Sequence, residues 1–217
     1  MKIIDVIRSI NLANKITILR ILLVPFFVLF MMADGIPYNY AWALIVFAFA
    51  AASDFADGYI ARKYDMITNL GKLLDPIADK ILVMSALICF AGLGWVYSWL
   101  VVVILAREFI VSAVRLAVLE NDNTNVIPAR ASGKIKTFIT MVVIFGIICM
   151  WMLEGFGIIT FSVEYSEIFS DYTANRPDLV IIPISNAFLT ICAGLTVFSG
   201  AQYVWDARYI FWSDDDN

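Results

Sequence analysis

Asp54, Asp57, Asp75 and Asp79 are gathered in one short stretch of a chain that is 62% hydrophobic. The stretch reads Asp54-x2-Asp57-Gly58-x2-Ala61-Arg62-x8-Gly71-x3-Asp75-x3-Asp79. A carboxylate at the centre of a membrane helix costs roughly 2.5–3.5 kcal/mol, so four cost at most about 10–14 kcal/mol, and less near helix ends. A sequence that keeps all four there uses them for chemistry.

On a helix, Asp54, Asp57, Gly58, Ala61 and Arg62 fall on one face, and Gly71, Asp75 and Asp79 recur every four residues on another helix. Two helices joined by a loop around 63–70 therefore direct two carboxylates each toward a common point. Carboxylates converging at low dielectric take up protons or are neutralised by cations. Arg62 and Lys80 are the nearby positive side chains. Oxygen ligands without His or Cys select a hard divalent ion, Mg2+ or Mn2+. Two ions suit four carboxylates, which gives a clamp for a phosphoryl group. Gly58 and Gly71 allow close approach of backbone and ligand. The competing readings are charges at helix ends, or a cation path through a transporter. The second half of the chain holds no inverted repeat of the acidic stretch, which disfavours transport.

The elements that must position these groups follow from composition. The chain has 217 residues and a mean hydropathy of +0.85. Its apolar runs are long enough to cross a bilayer. The expected fold is an all-α, polytopic membrane bundle, a single domain over 1–217, with six spans near 16–34, 38–60, 76–94, 95–119, 135–154 and 183–205. Short loops at 34–37 and 92–95 make antiparallel hairpins, and Pro76 suits the first turn of the third span. Lys2, Arg8, Lys15 and Arg20, then Arg62, Lys63, Lys72 and Lys80, then Arg107, Arg115, Arg130, Lys134 and Lys136, and finally Arg208, all fall on one side, which places both termini in the cytoplasm. Ile3, Ile7 and Ile10 keep a helical period, so 1–15 reads as an amphipathic helix on the membrane surface. Tyr38, Tyr40 and Trp42 mark the outer interface. Residues 155–182, with four acids, form an outer-face excursion to which no chemistry is assigned. The absence of histidine excludes a Ser-His triad and a His-ligated zinc site. Cys89, Cys149 and Cys192 read as inert thiols within apolar runs.

The acidic stretch resembles the signature of the CDP-alcohol phosphotransferase family at every defining position: Asp54, Asp57, Gly58, Ala61, Arg62, Gly71, Asp75 and Asp79. The segments 11–20, Leu23-Val24-Pro25, 74–80, 106–115 and 133–137 resemble the bacterial branch that makes phosphatidylglycerophosphate. The resemblance covers about 11–154 and returns at Gln202-Tyr203. It implies a six-helix membrane fold, usually a homodimer in the bacterial inner membrane, with its active site facing the cytoplasm.

It further implies that Asp54, Asp57, Asp75 and Asp79 bind two metal ions, that Asp79 also accepts the substrate proton, and that Asn14, Thr17, Gly58, Arg62 and Thr68 hold the CDP portion. The donor is then CDP-diacylglycerol and the acceptor sn-glycerol 3-phosphate, with membrane lipids as surroundings and no nucleic-acid partner. Inositol phosphate, serine or phosphatidylglycerol are the alternative acceptors. The acceptor's phosphate needs cations, for which Arg107, Arg115, Lys134 and Lys136 are the candidates. Arg107 lies too deep in its apolar run to reach the outer interface, and an arginine facing a membrane cavity is a functional group by default. Glu108 and Arg115, seven residues apart, share a face and can brace one another. Lys134 and Lys136 also read as positive-inside anchors.

Overall fold

A computed structural model describes residues 12–33, 35–64, 69–120, 131–159, 162–167, 170–175 and 178–206. For 12–15, 54–64, 69–76, 79, 115–120, 131–135 and both strands it describes the backbone alone. Among the described residues the helices are α1 Leu12–Met32, α2 Asn39–Tyr64, α3 Asn69–Gly92, α4 Ser98–Glu120, α5 Ala131–Gly155 and α6 Asp178–Asp206. Each overlaps one of the six expected apolar stretches; α5 and α6 cover theirs, and the other four stop one to three residues short at one end. Of the expected surface helix, residues 12–15 open α1, and the rest lies outside the described residues.

Two expectations are corrected. Helix α3 begins at Asn69, so Pro76 lies inside it and not in its first turn. A proline removes one amide donor and one i→i−4 bond, which a membrane helix accommodates where neighbouring groups take up the freed carbonyl. The fold is also not all-α. The 155–182 excursion contains an antiparallel hairpin, β1 Ser162–Glu167 and β2 Ser170–Asn175, with Tyr165 opposite Tyr172. Val163 and Tyr165 alternate with Ser162, Glu164 and Ser166, which is a strand period.

The helices are apolar on their outer faces and partly polar within. In α1 the buried positions are Thr17, Arg20, Val24, Phe27 and Met31, spaced alternately by three and four, while Leu19, Leu22, Phe26, Leu29 and Met32 are exposed. In α6 the buried stripe includes Ser185, Asn186, Thr196, Ser199 and Gly200, and the exposed side carries Phe188, Ile191, Phe198 and Trp205. A helix apolar on its exposed side suits lipid, and small or hydroxyl-bearing residues suit contact between membrane helices. The stretches Lys136–Gly155 and Asp178–Asp206 are long and apolar enough to cross a membrane. Shorter apolar stretches occupy Ile16–Met32, Asn39–Ser53 and Lys80–Gly92.

Two compact units divide the chain. The first comprises Met1–Leu93 with Ile144–Pro177, and the second Gly94–Val143 with Asp178–Asn217. In the first, α1 packs along both α2 and α3, whereas α2 and α3 touch each other only slightly. Phe27 meets Phe47 at 5.8 Å between ring centroids, and Phe30 meets Trp42 at 6.3 Å. Ascending α1 is therefore descending α2, and the pair is antiparallel as expected. The end of α1 lies against the end of α3: a Cβ added at Gly92 would sit 3.7 Å from Met32 Cε. Those two helices run parallel. The α1–α2 turn contains Tyr38 in a left-handed conformation (φ 58°), with its ring stacked on Phe156 at 4.9 Å. Asn39 ties the turn by accepting from the Tyr40 amide and donating to the Ala33 carbonyl.

In the second unit α4 and α6 pack together. The Asn186 side chain accepts from the Tyr97 amide at 2.7 Å and donates to the carbonyls of Trp95 and Ile182. Farther along, Arg107 reaches the Thr196 carbonyl. Both the Tyr97–Asn186 and the Arg107–Thr196 contacts span 89 residues, so α4 and α6 run parallel.

Candidate active site

The first unit brings its sequence-predicted residues to one end. The turn at Tyr38, the end of α3 at Gly92 and Phe156 after α5 lie together, so the opposite end holds the start of α1, the end of α2 and the start of α3. Carried back from Phe27–Phe47 at about 1.5 Å per residue, Thr17 comes level with the turn of α2 containing Asp57. Carried back from Met32–Gly92 in the same way, it comes level with the turn of α3 between Asp75 and Asp79. Asp54, Asp57, Gly58 and Arg62 are consecutive stripe positions of one unbroken helix, and Asp75 and Asp79 lie one turn apart on another. Asn14 lies one turn before Thr17 on α1. Thr68 lies outside the described residues.

This donor set fits a hard divalent cation. It offers four carboxylates at one end of a helical unit, in a chain without histidine. Among the described side chains, which do not include these aspartates, no group of three acids, histidines or cysteines could hold a metal.

Two polar side chains of α1 are sealed into this unit. Thr17 and Arg20 are each only 1% exposed, and both are engaged by neighbouring groups. Arg20 was expected to act as one of the orienting cations at the membrane face. Its burial adds to that reading: a charged group persists in an apolar interior only where other groups compensate it. Arg20 shares its stripe with Thr17 and belongs to the helix that touches both aspartate-bearing helices.

The second unit brings Arg107 and Lys136 together. Arg107 Nε donates to the Thr196 carbonyl at 2.9 Å, and Nη2 donates to Ser199 Oγ at 3.1 Å. Arg107 Nη1 lies 3.3 Å from Glu108 Oε1, and Lys136 Nζ from α5 binds that same carboxylate oxygen. The side chains are largely enclosed, at 12% exposure for Arg107, 19% for Glu108 and 7% for Lys136. Lys136 is thus a buried partner in a charge cluster and not a surface anchor. In formal charge, Arg107 and Lys136 against the one Glu108 carboxylate leave a net of +1 in this cluster. Arg115 lies two turns beyond Glu108 on α4, and Lys134 opens α5. Only their backbones are described, so the expected Glu108–Arg115 brace lies outside the described side chains.

Three neighbours of Arg107 were not foreseen: Thr196, Ser199 and Gly200. A Cβ placed on Gly200 would lie 2.8 Å from Arg107 Cγ and 3.0 Å from Nε. Glycine inside a helix is destabilising by roughly 0.5–1 kcal/mol relative to alanine, so its presence at this contact reflects the close passage of the arginine. The readable signal was a Ser-Gly pair in the interior of an apolar helix.

Comparison with known proteins gives a consistent result. A family model described as CDP-alcohol phosphatidyltransferase matches residues 10–169. The chain is 33% identical over 212 residues to a CDP-diacylglycerol–glycerol-3-phosphate 3-phosphatidyltransferase of Bacillus subtilis, covering 91% of this chain and 96% of the relative. It is 32% identical over 205 residues to the protein of the same name from Pectobacterium atrosepticum, covering 92% and 96%. It is 34% identical over 200 residues to that from Pseudomonas fluorescens, covering 89% and 88%.

Proposed function

Because the chain belongs to the CDP-alcohol phosphatidyltransferase family, we propose that it transfers the phosphatidyl group of CDP-diacylglycerol to sn-glycerol 3-phosphate. The products are phosphatidylglycerophosphate and CMP. The relatives that cover most of its length carry the name of that activity. The observation that supports the reading is that the backbone segments Asn14–Arg20, Asp54–Arg62 and Asp75–Asp79 stand toward the same end of a three-helix unit.

The protein is a helical membrane protein. In our reading its single domain, 1–217, crosses the bacterial inner membrane six times. The amphipathic 1–15 segment rests on the cytoplasmic surface among membrane lipids, both termini are cytoplasmic, and the protein works as a homodimer. The asymmetry of Lys and Arg supports this orientation.

Use of divalent metal ions is general in the family. Asp54, Asp57, Asp75 and Asp79 would hold two Mg2+ or Mn2+ ions, which would supply charge neutralisation for the diphosphate and for the departing CMP. Asn14, Thr17, Gly58, Arg62 and Thr68 bind the CDP portion, and the absence of a side chain at Gly58 leaves room for it. The primary hydroxyl oxygen of glycerol 3-phosphate forms the new bond to the phosphorus that bears diacylglycerol. The bond from that phosphorus to CMP breaks, and CMP leaves with the bridging oxygen and its electron pair. An Asp79 carboxylate oxygen takes the hydroxyl proton, which is general-base catalysis. Arg107, Arg115, Lys134 and Lys136 hold the acceptor's own phosphate, Arg107 through its planar fork.

The test is release of CMP from CDP-diacylglycerol by the purified protein with Mg2+ and glycerol 3-phosphate. Inositol phosphate, serine and phosphatidylglycerol serve as competing acceptors. Strong preference for glycerol 3-phosphate is expected. No release under conditions where the Bacillus subtilis relative turns over would reject the activity, and preference for another acceptor would reject the acceptor.

A further inference from the structure

We propose that Gly200 is a positioning residue for the acceptor's phosphate, acting through Arg107. This rests on the reading that Arg107 binds that phosphate. In an α-helix the Thr196 carbonyl accepts from the Gly200 amide, four residues on. A side chain at position 200 leans back over the turn that holds residue 196. Glycine leaves that carbonyl open from the side, and Arg107 Nε uses the opening at 2.9 Å. A carbonyl oxygen has two lone pairs and can serve both donors. One residue earlier, Ser199 Oγ receives Nη2 at 3.1 Å. The Nε–Nη2 edge of the guanidinium is thereby laid along α6, and its Nη1 end is turned toward Glu108 and Lys136. It is at that end, in competition with Glu108, that the proposed phosphate would reach the arginine.

Alanine at 200 would collide with Cγ, close to the arginine's backbone, and with Nε. Relief requires a different rotamer from the first side-chain torsion onward, which takes Nε from Thr196 and Nη2 from Ser199. An alternative role for Gly200 is simple close packing of two membrane helices. That role would alter stability and all kinetic constants together.

The experiment uses the full-length protein in lipid nanodiscs and compares Gly200→Ala, Ser199→Ala, Arg107→Ala and the Gly200→Ala/Arg107→Ala double variant. Gly200→Ala is expected to raise KM for glycerol 3-phosphate about tenfold, with KM for CDP-diacylglycerol and the unfolding midpoint unchanged, because small misplacements of a binding group are costly. Ser199→Ala adds no volume and removes one bond, so its rise is smaller, about threefold. In the Arg107→Ala background the atoms that Gly200→Ala would strike are gone, and the second change adds nothing. A tenfold effect that persists in that background, or equal shifts in both KM values, overturns the inference. So does a wild-type acceptor KM in both Gly200→Ala and Ser199→Ala. An unchanged acceptor KM in Arg107→Ala itself overturns the acceptor reading beneath it.

Discussion

Among the described side chains one arginine is enclosed in each compact unit, and the two are held differently. Arg20 is 1% exposed, on the helix that packs against both aspartate-bearing helices. Arg107 keeps 12% of its side chain accessible and is bonded to α6 along one edge. Arg20, enclosed on the helix that packs against both aspartate-bearing helices, belongs to the framework of its unit. A guanidinium tethered on one edge is fixed in direction yet still reachable, as substrate recognition requires. In the proposed function the contrast separates two tasks: the first unit carries the metal-binding aspartates beside a framework cation, and the second offers cations to the acceptor's phosphate.

The sharpest way to break that division is Asp79→Asn. Turnover should fall by about 10²–10⁴-fold, the range of a lost general base, while binding of CDP-diacylglycerol, measured by equilibrium titration, remains. Near-normal kcat would remove Asp79 from the chemistry. Next comes Arg20→Met, which strips a compensated charge from the interior and should cost about 3–5 kcal/mol of stability, read as a fall in the unfolding midpoint in detergent. If that variant keeps its midpoint and loses only acceptor affinity, Arg20 and Arg107 do the same work and the contrast fails. Arg107→Lys keeps the charge but loses the planar fork. It should raise KM for glycerol 3-phosphate about tenfold with an unchanged midpoint. The mildest change in kinetics is expected of Asn186→Ala, which removes three bonds, two to residues just before α4 and one within α6. It should cost about 1–3 kcal/mol in thermal unfolding assays and leave both KM values at wild type.

The aspartate helices were legible because their spacing matches the helical period, and period survives in a single sequence. Helix existence was legible from apolar length, whereas helix ends were not. Pro76 looks like a boundary, yet α3 begins at Asn69. The burial of Arg20 was not legible from its position along the span, which says nothing about which face is enclosed. The signal was its phase: Arg20 repeats with Thr17, Val24, Phe27 and Met31. The α6 contacts of Arg107 were out of reach, since their partners lie 89 and 92 residues away and no local pattern encodes such a pairing. The hairpin was overlooked because its serines and acids read as loop composition, although Val163 and Tyr165 alternate as a strand does.

The two tethers between α4 and α6 have a mechanical consequence. Asn186 grips the chain at Trp95 and Tyr97, and ten residues farther along, about 15 Å, Thr196 and Ser199 grip Arg107. Sliding one helix past the other by a single turn would tear both grips at once. The pair therefore behaves as one doubly pinned stave, and any motion that admits substrate or frees product must flex the chain beyond its ends.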